Sequence, residues 1–81
     1  MKYQFTAKFI RSYHNFSELT QLKFDKQLNY LLQNITHPSL RAKKYDETNN
    51  IWQARVDKSI RFYFLIKGNI YILLDIKKHS K

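Results

Sequence analysis

Apolar positions follow a helical period in the first half of the chain and a strand period in the second. Residues 3–5 form a short β-prone run, after which Thr6 can cap a helix that extends to about Asn15. A second, longer helix is expected to begin at Asn15 or Ser17. It must end before Pro38, because proline disfavours helical geometry in the residue that precedes it. Its buried face has the i, i+4, i+7, i+11 spacing and comprises Phe24, Leu28, Leu31 and Ile35.

The second half of the chain alternates between apolar and polar positions, which is typical of strands. A basic strand is expected from Arg41 onward, and three further strands follow at residues 51–56, 60–66 and 70–76. The order β-α-α-β-β-β-β predicts a single α+β domain over residues 1–81, in which two N-terminal helices pack on one face of a mainly antiparallel, twisted sheet. The last two strands are apolar on both faces, so we expect them near the centre of the sheet.

The amino-acid composition is that of a folded domain, and the net charge indicates an anionic partner. Hydrophobic residues make up 43% of the chain and aromatic residues 16%, far more than a disordered chain would carry. There is no cysteine, which excludes disulfides and thiolate metal sites. Fifteen Lys and Arg against six acids give a net charge of +9, which indicates a nucleic acid, an acidic protein or an anionic membrane as partner.

The distribution of charge predicts which half of the chain binds anions, and the hydropathy of the chain predicts its cellular compartment. Residues 37–81 hold ten basic and four acidic side chains, a net of +6, so the anion-binding surface is expected in the second half. No apolar run approaches the roughly 20 residues that span a bilayer. The first residues lack the apolar core of a signal peptide. We therefore expect a cytoplasmic protein without a membrane partner.

Strand alternation predicts a cluster of cations on the sheet face that the helices leave open. If the helices cover the face lined by Trp52 and Phe62, then Arg55, Arg61 and Tyr63 project from the other face. Arg41 and Lys43 can join them from the preceding strand, and His79 from the end of the last strand. Guanidinium groups suit phosphates because they offer bidentate hydrogen bonds and keep their charge.

A structural interpretation of the same residues remains open. Cations on a solvated sheet face commonly serve solubility, and Arg55 could pair with Asp57 or Asp75. A histidine in a lysine-rich tail, such as His79, is more often disordered than catalytic. No two histidines have the i, i+4 spacing of metal ligands, and the acids are scattered. We therefore expect no metal and no cofactor.

Four segments occur in this order along the chain: residues 37–44 (HPSLRAKK), 51–56 (IWQARV), 60–64 (IRFYF) and 73–79 (LLDIKKH). Together they resemble the RelE/ParE toxin superfamily. More narrowly, the sequence is similar to the RelE/StbE-like mRNA interferase subset. The resemblance covers nearly the whole chain, since its length and order of elements match as well.

This resemblance implies the toxin of a type II toxin–antitoxin system, neutralised by a cognate acidic antitoxin. It implies a ribosome-dependent, metal-independent endoribonuclease that cuts mRNA by attack of a 2′-hydroxyl on the adjacent phosphate. Arg55 and Arg61 match phosphate-binding positions that stabilise the transition state, and His79 matches the position of a proton-transfer group. The cations assigned to RNA binding are Arg41, Lys43, Lys44, Lys77 and Lys78.

The sequence departs from the pattern of the ribonuclease members at two points. Gln53 stands where some of them have a second basic residue, and no aromatic residue follows His79. Two alternatives therefore remain beside the ribonuclease: a ParE-like inhibitor of DNA gyrase, and a catalytically degenerate member bound to its antitoxin. The residue 37–44 segment and His79 favour the ribonuclease.

Overall fold

The computed structural model describes residues 1–79, and these form seven regular elements in the predicted order. The sheet order is β1-β5-β4-β3-β2, with β1 parallel to β5 and every other neighbouring pair antiparallel. The α+β class and the inner positions of the last two strands are thereby confirmed. The elements are β1 (Lys2–Phe5), α1 (Ala7–His14), α2 (Glu18–Gln33), β2 (Lys43–Asp46), β3 (Ile51–Arg55), β4 (Ile60–Lys67) and β5 (Ile70–Lys78).

Side-chain caps define where both helices begin. The Thr6 hydroxyl accepts a hydrogen bond of 3.1 Å from the backbone N–H of Phe9, as the sequence predicts. Ser17 caps α2 in the same way through the N–H of Thr20, so the later of the two predicted starts is the correct one. The predicted helical stripe is wrong at its last member, because α2 ends at Gln33 and Ile35 packs against the core from the segment beyond.

The core is built on aromatic side chains between the helices and one face of the sheet. Phe24 of α2 is fully buried, with its ring centroid 5.0 Å from that of Phe9 and 5.1 Å from that of Phe62. Aromatic contacts of this kind contribute beyond the area they bury. The helices thus cover the face that carries Phe62, as predicted, and leave the opposite face of the sheet open.

The segment before β2 differs from the predicted strand. Arg41 has a φ of 46°, in the left-handed region that side-chain-bearing residues seldom adopt, and the strand begins only at Lys43. The placement of Arg41 on a strand was therefore wrong. A bulge between Lys44 and Asp46 interrupts the pairing of β2 with β3. No helix among residues 1–79 is long and apolar enough to cross a membrane.

Candidate functional site

The open face of the sheet holds a cavity of about 350 Å³ whose walls are mostly basic. We call it the arginine pocket. Side chains reach it from the segment before β2, from β2, β3 and β4, and from the end of β5. The predicted catalytic residues, Arg55, Arg61 and His79, all line this one cavity. Its full lining is Arg41, Lys43, Gln53, Ala54, Arg55, Arg61 and His79.

Arg55 and Arg61 occupy directly opposed positions of the β3–β4 ladder. Like charges opposite each other in a sheet destabilise it, so their placement needs another reason. Partial burial, and then the charges of Arg41 and Arg61, lower the pKa of the Arg55 guanidinium from its ordinary value. Arginine nevertheless stays charged at neutral pH. The pocket therefore concentrates positive charge that an anion would neutralise.

No arginine of the pocket forms an ion pair with a carboxylate among residues 1–79. The structural alternative for Arg55, a pair with Asp57 or Asp75, is wrong. Asp57 pairs with Lys23 at 3.4 Å, and Asp75 pairs with Lys8 at 3.5 Å. Both of these carboxylates are thus paired with lysines, so within residues 1–79 no carboxylate neutralises the guanidinium groups of the pocket.

Arg61 is held much more tightly than a residue on an open sheet face would be. Its Nη1 donates hydrogen bonds to the carbonyl oxygens of Asp57 at 2.7 Å, Lys58 at 3.2 Å and Ile60 at 3.2 Å. Only 7% of the residue is exposed. The alternation predicted its face correctly, but the expectation that it projects from an exposed surface was wrong. The β3–β4 turn supplies two carbonyl acceptors for it, and Ile60 at the start of β4 supplies a third. Arg61 is a fixed cation in the wall of the pocket.

A buried glutamine on α2 connects two parts of the pocket. The side chain of Gln27 donates to the carbonyl oxygens of Ser39 at 3.0 Å and Arg55 at 2.9 Å, and it accepts from the Ser39 hydroxyl at 2.9 Å. The N–H of Arg55 donates to the carbonyl oxygen of Leu40 at 2.8 Å. Gln27 was not among the predicted site residues, although a polar residue within the apolar face of α2 was a signal for it.

His79 stands between the arginine pocket and a second cavity. Its backbone N–H donates to the carbonyl oxygen of Ser59 at 2.7 Å, which anchors the end of β5 to the β3–β4 turn, while its side chain is exposed. The second cavity, of about 260 Å³, is called here the tyrosine cavity. Its lining is Tyr45, Tyr63, Lys77, Lys78 and His79.

The two lysines predicted to contact RNA from β2 lie on opposite faces of the sheet. Lys43 pairs with Gln53 and lines the arginine pocket. Lys44 pairs with Trp52 on the helix-covered side, with its Nζ 5.3 Å from the centroid of the indole ring. It also lies 3.7 Å from a carboxylate oxygen of Glu47. The structure therefore does not bring Lys44 to the site.

Tyr63 and Gln53 form a polar contact on the open face. Both are buried, and the amide Nε2 of Gln53 donates to the Tyr63 hydroxyl at 3.1 Å. The Nζ of Lys77 lies 5.0 Å from the centroid of the Tyr63 ring. Tyr45, which was not among the predicted site residues, packs edge-on against Tyr63. Among residues 1–79, no three side chains of the metal-ligating types come together.

Comparison with known proteins identifies the fold. No protein-family model and no curated protein sequence matches the chain significantly. Solved structures do match it over nearly its whole length, at low sequence identity. A YoeB/ParE toxin from Agrobacterium tumefaciens superposes with a TM-score of 0.82 at 13% identity, covering 99% of this chain and 100% of that one.

Two further structures agree with this match. A YoeB dimer from Staphylococcus aureus gives a TM-score of 0.82 at 14% identity, covering 99% of this chain and 98% of that one. The archaeal RelE–RelB complex from Pyrococcus horikoshii gives 0.74 at 12% identity, covering 99% and 96%. Element order, sheet topology and these superpositions agree: the chain has the fold of the RelE/ParE toxin superfamily.

Proposed function

We propose that this protein is the toxin of a type II toxin–antitoxin system and that it acts as a ribosome-dependent, metal-independent mRNA endoribonuclease. The observation that carries the proposal is the arginine pocket. Its three guanidinium groups have no carboxylate partner among residues 1–79, and a histidine stands at its edge. The fold and the four sequence segments support the same conclusion.

The proposed reaction transfers a phosphoryl group within the RNA chain. The 2′-oxygen of a ribose attacks the adjacent phosphorus, the bond from phosphorus to the 5′-oxygen breaks, and a 2′,3′-cyclic phosphate and a 5′-hydroxyl result. One proton leaves the 2′-hydroxyl and one is added to the departing 5′-oxygen. Negative charge grows on the non-bridging oxygens, where fixed donors contribute most.

The residues of the pocket divide these tasks. Arg61, fixed by three carbonyl oxygens, offers a cation that needs no reorganisation during the reaction. Arg55 makes no side-chain hydrogen bond within the described residues and can adjust to the phosphate. His79 is the proton-transfer group, since imidazole exchanges protons near neutral pH better than other side chains do.

The remaining predicted cations bind the flanking RNA. Arg41 and Lys43 line the pocket beside Arg55, where they meet the phosphates next to the scissile one. Lys77 and Lys78 extend the basic surface along the tyrosine cavity. Lys44 is left out of this set because it lies on the other face of the sheet.

The antitoxin is proposed to be an acidic protein that lies across the basic open face. Structural neighbours include a YoeB–YefM toxin–antitoxin complex from Staphylococcus aureus. Opposite charges accelerate association, and salt screens that attraction. The association rate should therefore fall steeply between low and high salt, and a rate independent of salt would contradict this binding mode. The proposed site of action, the translating ribosome, places the protein in the cytoplasm.

Translation in a cell-free system tests the proposed function. Wild-type protein should stop synthesis, and Arg55→Ala should be about 100-fold or more weaker, which is the scale for loss of one transition-state donor. Arg11→Ala removes the same charge from the exposed surface of α1 and should match wild type. Wild-type protein that leaves translation intact but inhibits DNA supercoiling by gyrase would refute the proposal in favour of a gyrase inhibitor. Inactivity in both assays would favour a degenerate toxin.

A further inference from the structure

We infer that the tyrosine cavity is a nucleobase subsite, in which the ring of Tyr45 stacks on a base of single-stranded RNA whose phosphate occupies the arginine pocket. The inference rests on the proposed function and adds a substrate-binding residue to it. Tyr45 would bind RNA through its aromatic surface, and the neighbouring cations would hold the chain.

The backbone of β2 presents Tyr45 to solvent. The bulge between Lys44 and Asp46 places Tyr45 at the irregular position of the ladder, where it has no paired residue on β3. Bulges redirect side chains, and they are frequent beside functional sites. The residue is 56% exposed, a large fraction for an aromatic residue within a strand of an 81-residue domain.

The ring of Tyr45 rests on a rigid support. Its centroid lies 4.9 Å from that of Tyr63, at an interplanar angle of 67°. Tyr63 is buried, accepts a hydrogen bond from Gln53 and carries the Nζ of Lys77 5.0 Å from its ring centroid. A ring held this way loses little conformational freedom when a base stacks on it.

The position of His79 links this ring to the phosphate site. His79 lines both the arginine pocket and the tyrosine cavity, so the two cavities are neighbours on one face. Exposed aromatic rings beside a cationic groove are the combination with which proteins bind single-stranded nucleic acid. A nucleotide chain crossing His79 would place a phosphate among the guanidinium groups and a base against Tyr45.

A matched control is available at the other edge of the sheet. Tyr3 on β1 is 46% exposed, similar to Tyr45, but it pairs with Tyr71 on the helix-covered side and lines neither cavity. If exposed tyrosines in this protein serve only the β propensity of edge strands, then both substitutions will behave alike.

The test measures binding of a fluorescently labelled single-stranded RNA heptamer at low salt by anisotropy. Tyr45→Ala should weaken binding about 5- to 100-fold, the scale of one base–aromatic stack, whereas Tyr45→Phe and Tyr3→Ala should bind like wild type. In a series of heptamers that each lack one base, the wild type should bind more weakly when the base at one particular position is missing. That position should lose its effect in Tyr45→Ala, which a general loss of folding would not produce.

Two results overturn the inference. One is binding by Tyr45→Ala within twofold of wild type. The other is an equal loss in Tyr45→Ala and Tyr3→Ala.

The base subsite and the nuclease activity can fail independently of each other. A wild type that shows the Tyr45-dependent abasic position but cuts no mRNA on ribosomes would retain the subsite and refute the nuclease. A wild type that cuts mRNA on ribosomes, together with a Tyr45→Ala variant that binds the heptamers within twofold of wild type, would retain the nuclease and refute the subsite.

Discussion

The side-chain amide of Gln27 donates a hydrogen bond of 2.9 Å to the main-chain carbonyl oxygen of Arg55. The same amide group donates to the carbonyl oxygen of Ser39, two residues before Arg41. A single buried side chain on α2 therefore fixes both the end of β3 and the segment that delivers Arg41. The helical layer thus sets the relative positions of two guanidinium groups on the opposite side of the sheet.

Replacing Gln27 should cost stability whether or not the new side chain is polar. Gln27→Leu leaves two carbonyl oxygens without their donor, which should lower the free energy of unfolding by about 2–3 kcal/mol. Gln27→Glu should also destabilise, because an ionised carboxylate cannot donate to either carbonyl oxygen. Urea denaturation measures both. Gln33→Leu, at the exposed end of the same helix, should stay within about 0.5 kcal/mol of wild type. A Gln27→Leu protein as stable as that control would contradict the bridging role.

The Asp57 carboxylate should make stability depend on pH in the acid range. Burial raises its pKa, but hydrogen bonds from the N–H groups of Ser59 and Ile60 and the contact with Lys23 outweigh burial, so the pKa lies below its ordinary value. A lowered pKa means that the folded state binds the proton less readily than the unfolded state. The stabilisation is therefore present above the unfolded-state pKa of about 3.9 and is lost as the pH falls through the folded-state value.

Asp57→Asn isolates this charge, because the amide oxygen can still accept from the turn. The variant should be about 1 kcal/mol less stable than wild type at neutral pH, and the difference should shrink towards zero in acid, as urea titrations at several pH values will show. Glu47→Gln, whose carboxylate is mostly exposed, should show no comparable difference at neutral pH. A loss of stability in Asp57→Asn that grows as the pH falls would contradict the lowered pKa of Asp57.

The aromatic core should make the domain sensitive to loss of Phe24. Phe24→Ala removes contacts with the rings of Phe9 and Phe62 and should cost about 3–5 kcal/mol, enough to unfold much of a domain this small. Leu22→Ala, two residues earlier and exposed, should change stability by less than about 0.5 kcal/mol. Thermal denaturation followed by circular dichroism distinguishes the two. Similar midpoints for both variants would contradict the assigned core.

Local chemistry made the element order and the start of α1 predictable, and it narrowed the start of α2 to Asn15 or Ser17. Thr6 and Ser17 lie directly before helical apolar patterns, and strand alternation separated the core face from the face of Arg55 correctly. The prediction failed where tertiary contacts decide. The left-handed backbone of Arg41 leaves no trace in the alternation, and the burial of Arg61 depends on carbonyl oxygens of a turn.

Lys43 and Lys44 illustrate a different limit. Alternation along β2 already separated their faces, yet the resemblance to the RelE/ParE toxins grouped both as RNA contacts. The polar position of Gln27 within the apolar face of α2 was visible in the sequence, but its partners lie more than ten residues away, so no local pattern shows what it binds. Tyr45 was missed because its exposure depends on a bulge in the pairing with β3.

These two lysines also give a matched test of which face binds RNA. Lys43→Ala should weaken single-stranded RNA binding and reduce the slope of log affinity against log salt by about 0.7, the value for one contact to a single strand. Lys44→Ala, with the same loss of charge on the other face, should leave the slope unchanged. Anisotropy titrations across a range of salt concentrations measure it. Equal changes in affinity and in salt slope for the two substitutions would contradict RNA binding on the open face of the sheet.

The most direct test of the central claim is to map cleavage of a defined mRNA on programmed ribosomes by primer extension. Wild-type protein should cut within the A-site codon and leave a 2′,3′-cyclic phosphate. Arg55→Ala should cut about 100-fold more slowly, while Arg11→Ala cuts like wild type. An intact mRNA after incubation with folded wild-type protein, or undiminished cleavage by Arg55→Ala, would contradict the assignment of the arginine pocket as a ribonuclease site.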